Sequence, residues 1–118
     1  MIDLNTLGQR AVAAKYEMQM LSTEVKNEAL SAVAKRLVAD TQMLLDANDK
    51  DIKKGEENGM HPGLIDRLRL TEDRIKAMAE GLLQLVSLPD PIGESLSTTE
   101  RPNGLKIQKV RVPLGVIG

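Results

Sequence analysis

His61 is the only histidine of this 118-residue chain, and it lies in a Gly- and Pro-containing run, NGMHPG. A histidine that acts as base or metal ligand needs partners of matching chemistry, and here there is no second histidine and no cysteine. A metal site would have to be built from carboxylates alone. The run DANDKDIKKGEE sets Asp46, Asn48 and Lys50 at alternate positions and Glu57 at the twelfth, a spacing that superficially resembles a calcium loop. The sharp turn of such a loop needs glycine at its sixth position, where this chain has Asp51. A charged helix face is the better reading. Ser95, Ser97, Thr98 and Thr99 cluster with no base near them in sequence and read as exposed hairpin residues. Gly115 and Gly118 do not complete the Gly-x-Gly-x-x-Gly pattern that cradles a dinucleotide phosphate. They read as glycines that let a strand pass close to its neighbours. No residue is therefore assigned a catalytic, cofactor-binding or metal-binding role.

Composition narrows the remaining classes. Sixteen basic residues stand against seventeen acidic ones, and Tyr16 is the only aromatic. Nucleic-acid binding would ask for a basic excess and stacking rings, so no nucleic-acid partner is expected. The absence of cysteine fits a reducing compartment, and the N-terminus has neither a signal-peptide run nor a membrane-length apolar stretch. A cytoplasmic protein with no membrane partner is expected. With six methionines and no Phe or Trp, the core must be aliphatic, which favours helix-on-helix packing.

The elements that would position any chemistry follow from periodicity. Leu4, Leu7, Ala11, Ala14, Met18 and Leu21 make a helical stripe that Asp3 or Asn5 can cap. Ser22 or Thr23 caps a second helix with Val25, Ala29, Val33 and Leu37, and Leu30 beside them, on its buried face. A third runs from about Asp40 to Lys54. A kink or break is predicted near Asn48, with stop signals at Lys53–Gly55 and Asn58–Gly59. A short helical turn is expected at LIDRLRL. Thr71 caps the cleanest helix, in which Ile75, Met78, Ala79, Leu82, Leu83 and Val86 keep the period until Pro89 and Pro91 end it. Asn103–Gly104 signals a hairpin, and its second arm shifts phase near Lys109 before entering RVPLGVIG. The fold class is mainly α with a C-terminal β-hairpin. Residues 1–90 are expected as a helical layer of about four helices, and residues 91–118 as the hairpin and a lead-in strand.

The runs LLDANDKDI, GLIDRLRLTEDRI, LPDPIGE and NGLKIQKVRVPLGVIG, in that order and spacing, resemble roughly the N-terminal quarter of the gamma-glutamyl phosphate reductases, within the aldehyde dehydrogenase superfamily. The resemblance implies the N-terminal helical part of an aldehyde-dehydrogenase-like α/β fold, cut at Gly118 before the nucleotide-binding sheet that RVPLGVIG would enter. It implies an oxidoreductase of proline biosynthesis that reduces L-glutamate 5-phosphate to L-glutamate 5-semialdehyde and phosphate with NADPH. A cysteine thiolate attacks the acyl phosphate and hydride resolves the thioester. Nucleophile, oxyanion donor and cofactor contacts all lie downstream in that family. The segment alone is then expected to be inactive, to bind no cofactor, and to associate as a homo-oligomer through the Ile75–Val86 stripe and the edge of the VPLGVIG strand. The competing reading is a self-contained helical interaction module that binds a partner by strand addition.

Overall fold

The computed structural model describes residues 3–118. They form five helices followed by two strands: α1 Leu4–Met18, α2 Thr23–Ala39, α3 Thr41–Glu57, α4 Pro62–Leu68, α5 Glu72–Val86, β1 Ser95–Glu100 and β2 Lys106–Val110. Two compact units divide the chain. One is Lys26–Leu88; the other joins the residues up to Val25 with Pro89–Gly118.

In the Lys26–Leu88 unit, α3 packs on both α4 and α5. The buried apolar side chains are Ala34, Ile52, Ile65, Ile75 and Ala79, an aliphatic core without a ring, as the composition requires. Helices α2 and α5 begin where a short polar side chain satisfies an orphan N–H. The Ser22 hydroxyl accepts from Val25 N at 3.4 Å, and Thr71 Oγ1 from Arg74 N at 3.2 Å. Behind the Ser22 cap, Glu24 lies in the first turn of α2. Its own backbone N–H, and then the Ser22 hydroxyl, hold its carboxyl below the ordinary glutamate range. A group depressed on folding stabilises above its unfolded pKa, and that contribution fades as pH falls through the folded value. A carboxyl-resolved NMR titration should find Glu24 protonating at lower pH in the folded chain than in urea.

The predicted break near Asn48 does not occur, because α3 runs unbroken from Thr41 to Glu57. Asn48 would disturb a helix by bonding to its own backbone. Its amide instead reaches across to the α4–α5 connection, donating from Nδ2 to Leu68 O at 2.9 Å and accepting from Leu70 N at 2.8 Å. Gly55 is likewise inside the helix rather than at its stop. The stop is the second signal: Gly59 N donates to Glu56 O at 3.0 Å and Met60 N to Gly55 O at 2.9 Å, the paired bonds of a Schellman ending. Gly55 is kept small because α4 crosses over it. A β-carbon there would lie 3.0 Å from Ile65 Cδ1 and 3.4 Å from Met60 Sδ. Gly55→Leu should therefore lower unfolding free energy by about 1–3 kcal/mol through overpacking, measured by urea melts, in spite of leucine's better helix propensity.

The buried face of α2 differs from expectation by about one position, and that of α5 is narrower than expected. In α2 the buried residue is Ala34, with Leu30 and Leu37 half-buried, while Val25, Ala29 and Val33 are exposed. In α5, Ile75 and Ala79 are buried and Leu82 and Val86 half-buried, but Met78 is 43% and Leu83 48% exposed.

In the other unit, Asp3 caps α1 by accepting from Thr6 N. The helix stops at Met18, short of Leu21, and none of its residues is buried. The two strands pair antiparallel, from Glu100↔Lys106 back to Ser97↔Lys109, with a register shift at Leu96 before Ser95↔Val110. The phase change read near Lys109 is thus a β-bulge on the facing strand. The turn also differs in detail from a two-residue Asn-Gly hairpin, which would need positive φ at both residues. Among the described residues only glycines have positive φ, Gly104 with +83° among them. Gly104 N donates to Arg101 O at 2.8 Å and Arg101 N to Leu105 O at 2.9 Å, so Pro102–Asn103–Gly104 form a three-residue loop closed by a left-handed glycine.

Candidate functional site

The residues singled out by type and spacing do not converge. His61 caps α4: its Nδ1 accepts from Gly63 N at 3.1 Å, which uses the ring's acceptor for structure. Asp46, Asn48, Lys50, Asp51 and Glu57 are strung along α3 rather than around a loop. Asp46 accepts from Gln42 Nε2 at 2.8 Å, and Asn48 is committed to Leu68 and Leu70. Among the described residues no three His, Cys, Asp or Glu side chains gather to hold a metal. Ser95, Ser97, Thr98 and Thr99 are all in exposed β1, where Thr98 Oγ1 meets only Gln108 Nε2, at 3.4 Å. Gly115 lies in an irregular segment beside the Lys15 side chain, and a β-carbon on Gly118 would meet open space.

Sequence reasoning missed the polar joint around the α4–α5 connection. Arg74, in the first turns of α5, turns its guanidinium back onto the end of α4. Nη1 donates to Asp66 O and, at 2.6 Å, to Arg69 O, while Nη2 lies 3.4 Å from Asp66 Oδ2. Those carbonyls are the unsatisfied acceptors at a helix C-terminus, where a cation is also favoured by the dipole. With Asn48 on Leu68 O and Leu70 N, four backbone groups at the end of α4 and in the connection have side-chain partners. Arg69 adds a loose pair with Glu56 at 3.8 Å. The spacing of DRLRLTEDR carried this signal only in part, because Asn48 lies about twenty residues upstream. The joint orients α5 against α3.

Two apolar hollows lie elsewhere among the described residues. An apolar groove of about 470 Å³ runs between α2 and α5 over Ala34, Val38, Ala79 and Leu83, edged by Lys35, Lys76 and Glu80. In the other unit, a cleft of about 550 Å³ is lined by Pro91, Ile92, the residues from Arg111 to Gly115, and Ile117. Near it Arg111 pairs with Glu94, Nε to Oε2, at 2.8 Å, and Asp90 Oδ1 accepts from Ile92 N at 3.0 Å. No helix of the described residues is long and apolar enough to cross a membrane.

Likeness to other proteins shows what this chain resembles. No family model matches the chain. Across all 118 residues it is 48% identical to a gamma-glutamyl phosphate reductase of Anoxybacillus flavithermus, and across 111 residues 51% identical to one of Bacillus anthracis. Its homologues are gamma-glutamyl phosphate reductases. The chain spans 29% and 27% of the length of these two relatives. Solved structures agree. The gamma-glutamyl phosphate reductase of Thermotoga maritima matches 89% of the chain with TM-score 0.85 at 33% identity, and the chain covers 25% of it. That of Saccharomyces cerevisiae matches 96% with TM-score 0.87 at 25% identity, with 29% of it covered. The helices and hairpin described above are therefore an arrangement shared with gamma-glutamyl phosphate reductases.

Proposed function

We propose that this chain is the N-terminal part of a gamma-glutamyl phosphate reductase. The whole protein would reduce L-glutamate 5-phosphate to L-glutamate 5-semialdehyde with release of phosphate, in the making of proline. What supports this is a likeness that runs the full 118 residues at 48% identity and has the same folded course in two solved reductases. NADPH would supply the hydride, bound and used by residues outside this chain, as would the cysteine nucleophile. Residues 1–90 serve as a helical layer and residues 91–118 as a hairpin and a lead-in to the first strand of a nucleotide-binding sheet. The parent is a cytoplasmic homo-oligomer, and the hairpin is the part of this segment that joins subunits. Its exposed strands Ser95–Glu100 and Lys106–Val110, rich in edge N–H and C=O groups, support that role. The reading as a self-contained module is not favoured, since the homologues are enzymes more than three times as long.

The test is to read the coding sequence on past Gly118, express the extended protein, and follow NADPH oxidation with glutamyl phosphate generated in situ by a kinase. Turnover by the extended protein and none by residues 1–118 is the expected result. Failure of the extended protein to turn over, together with failure to restore growth of a proline auxotroph, would remove the assignment.

A further inference from the structure

Two Asn-Gly pairs occur in the chain, Asn58–Gly59 and Asn103–Gly104. The pair carries latent chemistry of its own. Glycine has no side chain to hinder its backbone nitrogen, which can lose its proton and attack the preceding asparagine's Cγ. The new C–N bond closes a five-membered succinimide as the bond to Nδ2 breaks and ammonia leaves. Water then opens the ring at either carbonyl, giving aspartate or isoaspartate. The balance is amide plus water to carboxylate plus ammonium, with no oxidant or further reactant.

Structure decides which pair reacts, because in both the attacking nitrogen is engaged. Gly59 N donates to Glu56 O at 3.0 Å, and the next residue's N–H donates to Gly55 O at 2.9 Å. That helix ending is anchored in the core, with Gly55 and Ile65 buried and Met60 against them. Freeing Gly59 N means undoing packing. Gly104 N donates to Arg101 O at 2.8 Å, and Asn103 Oδ1 accepts from Leu105 N at 3.1 Å. These bonds close a two-stranded hairpin of which every strand residue is exposed. A hairpin on its own is marginal in water, so its turn opens at little free-energy cost.

We propose that Asn103–Gly104 is a spontaneous modification site, at which Asn103 deamidates at a rate set by opening of the β1–β2 turn. Isoaspartate there adds a methylene to the main chain inside a three-residue loop. The Arg101–Gly104 bond is lost and the pairing from Glu100↔Lys106 onward loosens; the departure of ammonia makes the reaction run one way. Asn58 ages slowly in the same molecule and serves as the internal reference.

The experiment incubates the 118-residue chain at slightly alkaline pH, with and without concentrated urea. Peptide mass spectrometry follows the gain of about 1 Da at each asparagine, and isoaspartyl methyltransferase labelling identifies the product. In buffer, Asn103 should convert several-fold faster than Asn58; in urea the two rates should converge. Equal rates in buffer, a lead by Asn58, or no product at Asn103 where urea yields it would each overturn the site. Ile107→Gly, opposite Thr99 in the hairpin, should raise the Asn103 rate relative to Asn58 in buffer. An unchanged ratio would overturn the gating by the turn.

Discussion

Replacing Ile75 by alanine should cost about 2–5 kcal/mol of unfolding free energy, the range for a fully buried large-to-small change. Ile75 is 0% exposed, the most enclosed large side chain among the described residues, on the face of α5 turned to the core. Its removal deletes dispersion contacts and leaves a void that the neighbouring helices can only partly close. The control is Leu83→Ala on the same helix. Leu83 is apolar and keeps the helical period, yet it is 48% exposed at the α2–α5 groove, so its loss should stay below about 1 kcal/mol. Urea melts of both variants, read at constant m-value, check the pair. Equal effects would mean that the buried face of α5 is wrongly placed.

Asn48→Ala is expected to cost about 2–4 kcal/mol, although the side chain removed is small and polar. The cost comes from what it leaves behind. Asn48 is 8% exposed, and its loss strands the Leu68 carbonyl and the Leu70 N–H, both in part-buried bonds. Asn48→Asp separates the two halves of the clasp. The carboxylate can still accept from Leu70 N but meets the Leu68 carbonyl oxygen with charge in place of a donor. It should be at least as destabilising as alanine at neutral pH and should recover part of the loss as acid protonates it, which a set of melts at falling pH would show. Alanine and aspartate variants as stable as the parent would show that water replaces the clasp without loss.

The contrast between α5 and α3 shows what could be read in advance. In α5 every local signal agrees: Thr71 caps, Glu72 and Asp73 face the positive end, and the apolar period ends at Ser87 before two prolines. The helix was therefore legible to the residue. In α3 the local signals at Asn48 and Gly55 point to a break and a stop, and both are overruled by partners distant in sequence. Asn48 finds its bonds in the α4–α5 connection, and Gly55 is small because Ile65 lies over it. Propensity cannot see such partners. The same holds for the rotation of the buried face in α2, where Ala34 rather than Val33 goes inside. Periodicity fixes that a face exists to within about a residue, and the neighbour it meets chooses the angle. At the level of chemistry, residue types alone excluded more than they located. The order and spacing of four motifs carried the resemblance, and the joint built by Asn48 and Arg74 had no signature in any one of them.

Helix α1 buries none of its fifteen residues, and its apolar side chains include Leu4, 81% exposed, with Leu7, Val12 and Tyr16 also in water. For the stability of this segment those positions carry little: exchanging them for lysine or glutamine empties no buried site. A saturation library of the 118-residue chain, selected only for resistance to protease, should tolerate nearly every polar residue along α1 while rejecting most changes at Ile52, Ile65 and Ile75. Mutational tolerance in that library would then trace a sharp border inside a single short chain. On one side the letters of the sequence are constrained by folding, and on the other they are left free by it.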